Sequence, residues 1–175
     1  YVIPGGGACP VGALGYLNAS VELVHQLNEA SVKADYVVHS TGSGGTQTAL
    51  ALGLKNLNSG AKVIGISCGG MKKDIQGRVI NLSKDVAEFA HLPYALNAED
   101  VIVYDDYTCG GYGVITQDVV DVLKRVAMAE GIVLDPLYTG KAFMGLIDLV
   151  EKGVIEKGSK VVFVHTGGTT LPFQY

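Results

Sequence analysis

ADYVVHSTGSGGTQTAL, residues 34–50, joins a short apolar strand to an apolar helix through a loop of small residues. The strand is Tyr36 to His39, the loop Ser40 to Thr46, and the helix continues to about Leu57. Glycine lets a backbone approach an anion closely, and consecutive free N–H groups can converge on it. The helix that follows adds its positive end at the same place. Ser40, Thr41, Ser43 and Thr46 supply hydroxyl donors without bulk. The layout predicts a site for a phosphate group.

Outward from this segment, strands and helices alternate. A glycine-rich stretch from Pro4 to Gly15 leads to a helix whose apolar stripe is Leu17, Val21, Val24 and Leu27. Asn58-Ser59-Gly60 turns into the strand Lys62 to Ser67, which runs on to Cys68-Gly69-Gly70. Ile75 to His91 is expected to be helical, Val101 to Tyr104 a strand, and Asp105 to Gly113 a loop. Thr116 is placed to cap a helix from Gln117 to Glu130 with Val119, Val122, Leu123 and Val126 on one face. A helix from Lys141 to Lys152 carries Phe143, Leu146, Ile147 and Val150, and Lys160 to Val164 is the last strand, ending in His165-Thr166-Gly167-Gly168. This order predicts an α/β domain with a doubly wound, mostly parallel sheet and helices on both faces. The strands are apolar on both sides, as such a sheet requires. Three of them end in STGSGG, SCGG and HTGG. Ligands of open α/β sheets bind beyond the carboxyl ends of strands, so these loops are expected to share one pocket.

The 175 residues are 48% hydrophobic and 17% charged, enough to bury a core as one domain, 1–175. The net charge is −4 and basic residues form no block, which disfavours nucleic acid and anionic membranes as partners. No apolar run has the length of a membrane span. Cys9, Cys68 and Cys109 are scattered and odd in number, and the four histidines lack metal-ligand spacing, so no metal site is expected. A reducing, cytoplasmic setting is the default for this cysteine usage.

Two familiar phosphate motifs fail. No lysine follows the loop as a P-loop demands, and Gln47 stands where a dinucleotide fingerprint has its third glycine. What remains is a Ser/Thr/Gly cup for a single phosphate, or else a glycine-rich turn with hydroxyl caps.

TGSGGT after a strand resembles the phosphate cup of fold-type II enzymes that use pyridoxal 5′-phosphate (PLP). IPGGGACPVGALGY (3–16), LDPLYTGKA (134–142) and VVFVHTGG (161–168) are similar to segments of the branch holding D-cysteine desulfhydrase and 1-aminocyclopropane-1-carboxylate (ACC) deaminase. Thr139 and Thr166 resemble the desulfhydrase pattern, where the deaminases carry Glu and Leu. The resemblance implies that Thr41, Gly42, Ser43, Gly44, Gly45 and Thr46 hold the cofactor phosphate. It places Thr139 at the pyridine nitrogen, Tyr112 and Tyr138 as active-site tyrosines, and Thr166 and Gly167 in the substrate pocket. The implied reaction is β-elimination of D-cysteine to pyruvate, hydrosulfide and ammonia, with ACC deamination or a related sulfur amino-acid lyase reaction as the alternative, and a homodimer is implied by the same precedent.

The family lysine that forms a Schiff base with the cofactor and moves the α-proton has no match among the eleven lysines. The chain therefore reads as the carboxyl-terminal part of the large cofactor domain of a longer enzyme, completed by an amino-terminal part. The reading from another class is a non-catalytic module that binds phosphate or PLP. Lys141 is expected to face solvent, His39 and His165 to bond backbone, Cys68 to be a buried small residue, and Asp105-Asp106 to be a solvated turn.

Overall fold

The computed structural model describes residues 2–168. Four parallel strands, β1 (Tyr36–Thr41), β2 (Lys62–Ser67), β3 (Ile102–Tyr104) and β4 (Val161–Phe163), form one sheet in the order β3-β2-β1-β4. The helices are α1 (Pro10–Glu29), α2 (Gly45–Asn56), α3 (Lys72–Phe89), α4 (Gln117–Glu130) and α5 (Thr139–Glu151). The parallel α/β architecture is as expected.

Alternation along the strands sends side chains to two separate cores. Val37, Val63 and Val103 pack with Leu50, Leu54, Ile75 and Val79 beneath α1, α2 and α3. Val38, Ile64 and Ile66 pack with Ala142 and Leu149 of α5 and with Tyr107 on the opposite face. Both sheet faces are thus covered, which is why the strands are apolar throughout.

Several boundaries move. α1 starts at Pro10, well before Gly15, because a proline at the first helical position already has the right φ and lacks an N–H that would go unbonded. Its inward side holds Ala13 and Ser20, with Tyr16, Leu17 and Val24 against the core, whereas Val21 is exposed. Small residues govern this contact: a Cβ on Gly53 of α2 would lie 2.6 Å from Ser20 Cβ. β1 continues past His39 to Thr41, since Ser40 pairs with Ile66 and Thr41 with Ser67. α3 begins at Lys72, whose N–H donates to Asp105 Oδ2 at 2.7 Å. Asp105 is therefore half-buried at a helix start rather than freely solvated, while Asp106 is exposed. On α5 the buried residues are Thr139, Gly140, Lys141, Ala142, Gly145 and Leu149, and Val150 is exposed. Gly145 sets that face, for a Cβ there would meet Ile66 at 2.9 Å. Thr116 holds the N-cap position of α4, but its hydroxyl makes no capping bond.

Candidate functional site

A cleft of about 510 Å³ opens beyond the carboxyl ends of β1 and β2. Ser40, Gly42, Ser43 and Thr46 line it from one loop, Cys68, Gly69 and Gly70 from a second, and Tyr112, Tyr138 and Thr166 from the other side. Two smaller cavities lie at the opposite end of the strands, around Lys62 and Ala34, where open α/β sheets do not bind ligands.

The cup is a helix start with its donors free. Gly44 adopts φ 94° as the residue before α2, a conformation that suits glycine. Among the described residues, the N–H groups of Ser43, Gly44, Gly45, Thr46 and Gln47 donate to no backbone carbonyl. The hydroxyls of Ser40 and Thr41 are buried without partners among the described residues. Arg78 of α3 lines the same cleft and donates from Nη2 to Gly42 O at 2.9 Å. Free N–H groups, hydroxyls and one guanidinium fit a phosphate monoester. The residue in the failed third-glycine position has a packing role. Gln47 is buried, donates to Ile102 O at 2.8 Å, and rests on Gly65, where a Cβ would lie 2.3 Å from its Oε1.

Facing the cup, the hydroxyls of Tyr112 and Tyr138 are hydrogen-bonded, with ring centroids 5.9 Å apart in an edge-on arrangement. The bond to Tyr112, helped by partial burial, pushes the Tyr138 phenol up to about 12, so it keeps its proton at neutral pH. Gly69 lets the two loops meet: a Cβ there would come 2.5 Å from Tyr112 N.

Tyr138 is aimed by a buried carboxylate. Asp135 is fully buried and accepts from the N–H groups of Leu137, Tyr138 and Thr139 at 2.8, 2.7 and 2.9 Å. These are unpaired donors at the start of α5, and a carboxylate there also suits the helix dipole. Gly168 packs on it, since a Cβ would lie 2.7 Å from Asp135 Cγ. Thr139 is committed to the same group. Its hydroxyl donates to Asp135 Oδ2 at 2.7 Å and accepts from Asp135 N at 2.8 Å. Thr139 is fully buried and does not line the cleft.

The structure brings Gly42, Ser43, Thr46, Tyr112, Tyr138 and Thr166 together around one cleft. Gly44 and Gly45 shape the turn and helix start behind it, Thr41 is buried in β1, and Gly167 follows Thr166 without lining the cleft. Lys141 is corrected: it does not face solvent but is fully buried, and its ammonium donates to three carbonyl oxygens. Its place one turn into α5 puts it against the sheet rather than outside. His39 and His165 do bond backbone, through Nδ1 to Ser40 O at 2.7 Å and Nε2 to Val133 O at 2.8 Å. Cys68 is buried, and burial pushes its thiol pKa up, which leaves it protonated. Ser40, expected as a hydroxyl donor, lines the cleft, whereas sequence reasoning missed Arg78, and missed Asp135 as the anchor of Tyr138. The aspartate of the DPLY segment was its one visible signal, while Arg78 comes from a distant helix with no motif around it.

Residues 1–167 match the profile of the family described as "Pyridoxal-phosphate dependent enzyme". A Pyrococcus furiosus protein named "Putative 1-aminocyclopropane-1-carboxylate deaminase" is 43% identical over all 175 residues, which cover 52% of its length. A Pyrococcus horikoshii protein of the same name is 44% identical over the whole chain and 51% of its own. A solved structure described as an ACC deaminase homologue superposes with a TM-score of 0.88 at 42% identity, over 99% of this chain and 51% of that one. The chain spans about half the length of the curated relatives it matches.

Proposed function

Because the chain belongs to the pyridoxal-phosphate-dependent enzymes, with PLP as cofactor and ACC deaminase-like proteins among its relatives, we propose that it supplies the phosphate cup and the tyrosine pair of a lyase acting on D-cysteine. The supporting observation is that Ser43 and Thr46, on one side, and Tyr112, Tyr138 and Thr166, on the other, line one cleft.

When bound, PLP supplies an electron sink for the charge left on the α-carbon after proton removal. The N–H groups of residues 43–47 and the hydroxyls of Ser43 and Thr46 hold its phosphate, with Arg78 adding positive charge. Tyr138 and Tyr112 share one proton between their hydroxyls and keep the other available. That remaining hydroxyl can donate to a substrate carboxylate or to the departing sulfur. Thr166 borders the substrate. With water, D-cysteine then yields pyruvate, hydrogen sulfide and ammonia. In the working enzyme an amino-terminal part supplies the Schiff-base lysine, two copies form a homodimer, and the protein acts in the cytoplasm.

A second reading, opening of the ACC ring to 2-oxobutanoate and ammonia, is favoured by the names of the 43% and 44% identical relatives. Assaying the complete enzyme with both substrates separates them. Sulfide and pyruvate from D-cysteine support the first; 2-oxobutanoate from ACC alone replaces it with the second. PLP bound without turnover of either would leave the non-catalytic binding module.

A further inference from the structure

Lys141 is a buried cation without a carboxylate partner among the described residues. An ammonium left unpaired in a protein interior is strongly unfavourable. Here all three of its donors are used: Nζ donates to Thr108 O at 2.7 Å, Gly111 O at 2.9 Å and Cys68 O at 3.1 Å. Burial pushes its pKa down from the ordinary lysine value.

The three carbonyls belong to two loops that contribute to the cleft and meet at Gly69 and Tyr112. Cys68 follows the end of β2, beside Gly69 and Gly70. Thr108 and Gly111 flank the turn that delivers Tyr112. That turn has little regular structure of its own, with positive φ at Cys109, Gly110, Gly111 and Gly113. Its internal backbone bonds are Gly111 N to Thr108 O at 3.1 Å and Val114 N to Gly111 O at 3.4 Å. A segment so weakly bonded to itself needs an outside anchor to hold a side chain in one place. Lys141 lies three residues after Tyr138, so one turn of α5 carries both groups.

We propose that Lys141 is the positioning residue of the tyrosine pair: α5 presents Tyr138 directly and, through the Lys141 ammonium clamp on Thr108, Gly111 and Cys68, fixes Tyr112 at hydrogen-bond distance from it. Lys141 itself does not line the cleft. Its significance for catalysis rests on the proposed role of the two tyrosines, whereas its effect on their geometry does not.

The test uses the complete enzyme with ¹³C-labelled tyrosine, following the phenol carbons by NMR as pH rises. In wild type the bond from Tyr112 is expected to raise the Tyr138 midpoint to about 12. Replacing Lys141→Met is expected to lower that midpoint toward the ordinary tyrosine value near 10, by as much as Tyr112→Phe does. The double variant should show no further change. Bound-cofactor absorbance should persist while kcat falls about 10²-fold. A Lys141→Met enzyme whose Tyr138 still titrates near 12 overturns the proposal. Loss of bound PLP from the wild type would instead count against the functional reading and leave the titration result standing. Should Lys141→Met not fold, the wild-type enzyme decides through its ¹⁵N-labelled Lys141 ammonium. Slowly exchanging protons, coupled through hydrogen bonds to the three carbonyls, uphold the clamp; protons exchanging as fast as those of surface lysines refute it.

Discussion

The Thr139 hydroxyl makes two hydrogen bonds to Asp135, donating to its carboxylate at 2.7 Å and accepting from its backbone N–H at 2.8 Å. The pair closes the first turn of α5 and leaves Tyr138 pointing at the cleft. Thr139→Val keeps the shape and removes both bonds, leaving a buried carboxylate one donor short. The expected cost is about 1–3 kcal/mol, read as a lower denaturant midpoint in the complete enzyme. Thr139→Ser should restore most of it. Equal stability of the valine and threonine forms would remove the anchoring role.

Gly69 and Tyr112 meet backbone to backbone. A Cβ at residue 69 would lie 2.6 Å from Tyr112 Cα, and no side-chain rotation relieves that. Gly69→Ala should displace the tyrosine turn at a cost of about 1–3 kcal/mol and lower kcat by about 10²-fold. Steady-state kinetics on the folded variant test this, and unchanged kcat would contradict it.

Arg78 brings a positive charge to the cup, bonded to Gly42 O and lining the cleft. Arg78→Met should weaken PLP binding roughly tenfold, in line with loss of one charge-assisted contact. Equilibrium dialysis measures it, and the wild-type affinity should fall more steeply with added salt than the variant's.

His39 makes the fold sensitive to acid. Burial holds its pKa at about 4, below the ordinary 6.5, and its Nε2 has no partner among the described residues. The unfolded chain therefore binds the proton first, and stability present above pH 6.5 is lost as pH falls from 6.5 toward 4. At pH 5 this one group should remove about 2 kcal/mol relative to pH 8. Denaturant unfolding of His39→Gln at the two pH values should lack that increment; an identical loss in both proteins would exclude His39 as its source.

The fold was legible because its signals are local. Apolar strands punctuated by STGSGG, SCGG and HTGG give the parallel sheet and the end that carries the cleft. Helix faces were misread where small residues, not large ones, face inward, as with Ser20 on α1 and Gly145 on α5. The hydroxyl- and glycine-rich cup is contiguous in sequence and so was found. Arg78, Asp135 and Lys141 act through contacts between distant segments or through carbonyls, which no sequence pattern displays. Lys141 shows this best: its charge suggested solvent, whereas 73 residues separate it from Cys68, the carbonyl that accepts from it inside the protein.

The central claim is that the start of α2 holds the phosphate of PLP, and comparing PLP with its dephosphorylated form, pyridoxal, tests it most directly. In the complete wild-type enzyme PLP should bind at least ~10²-fold tighter than pyridoxal, the difference arising from charge-assisted bonds to the phosphate. Thr46→Glu puts a carboxylate into the cup and should abolish that difference, leaving pyridoxal affinity nearly unchanged. A Thr46→Glu enzyme that still prefers PLP as strongly as the wild type would place the phosphate elsewhere and contradict the account.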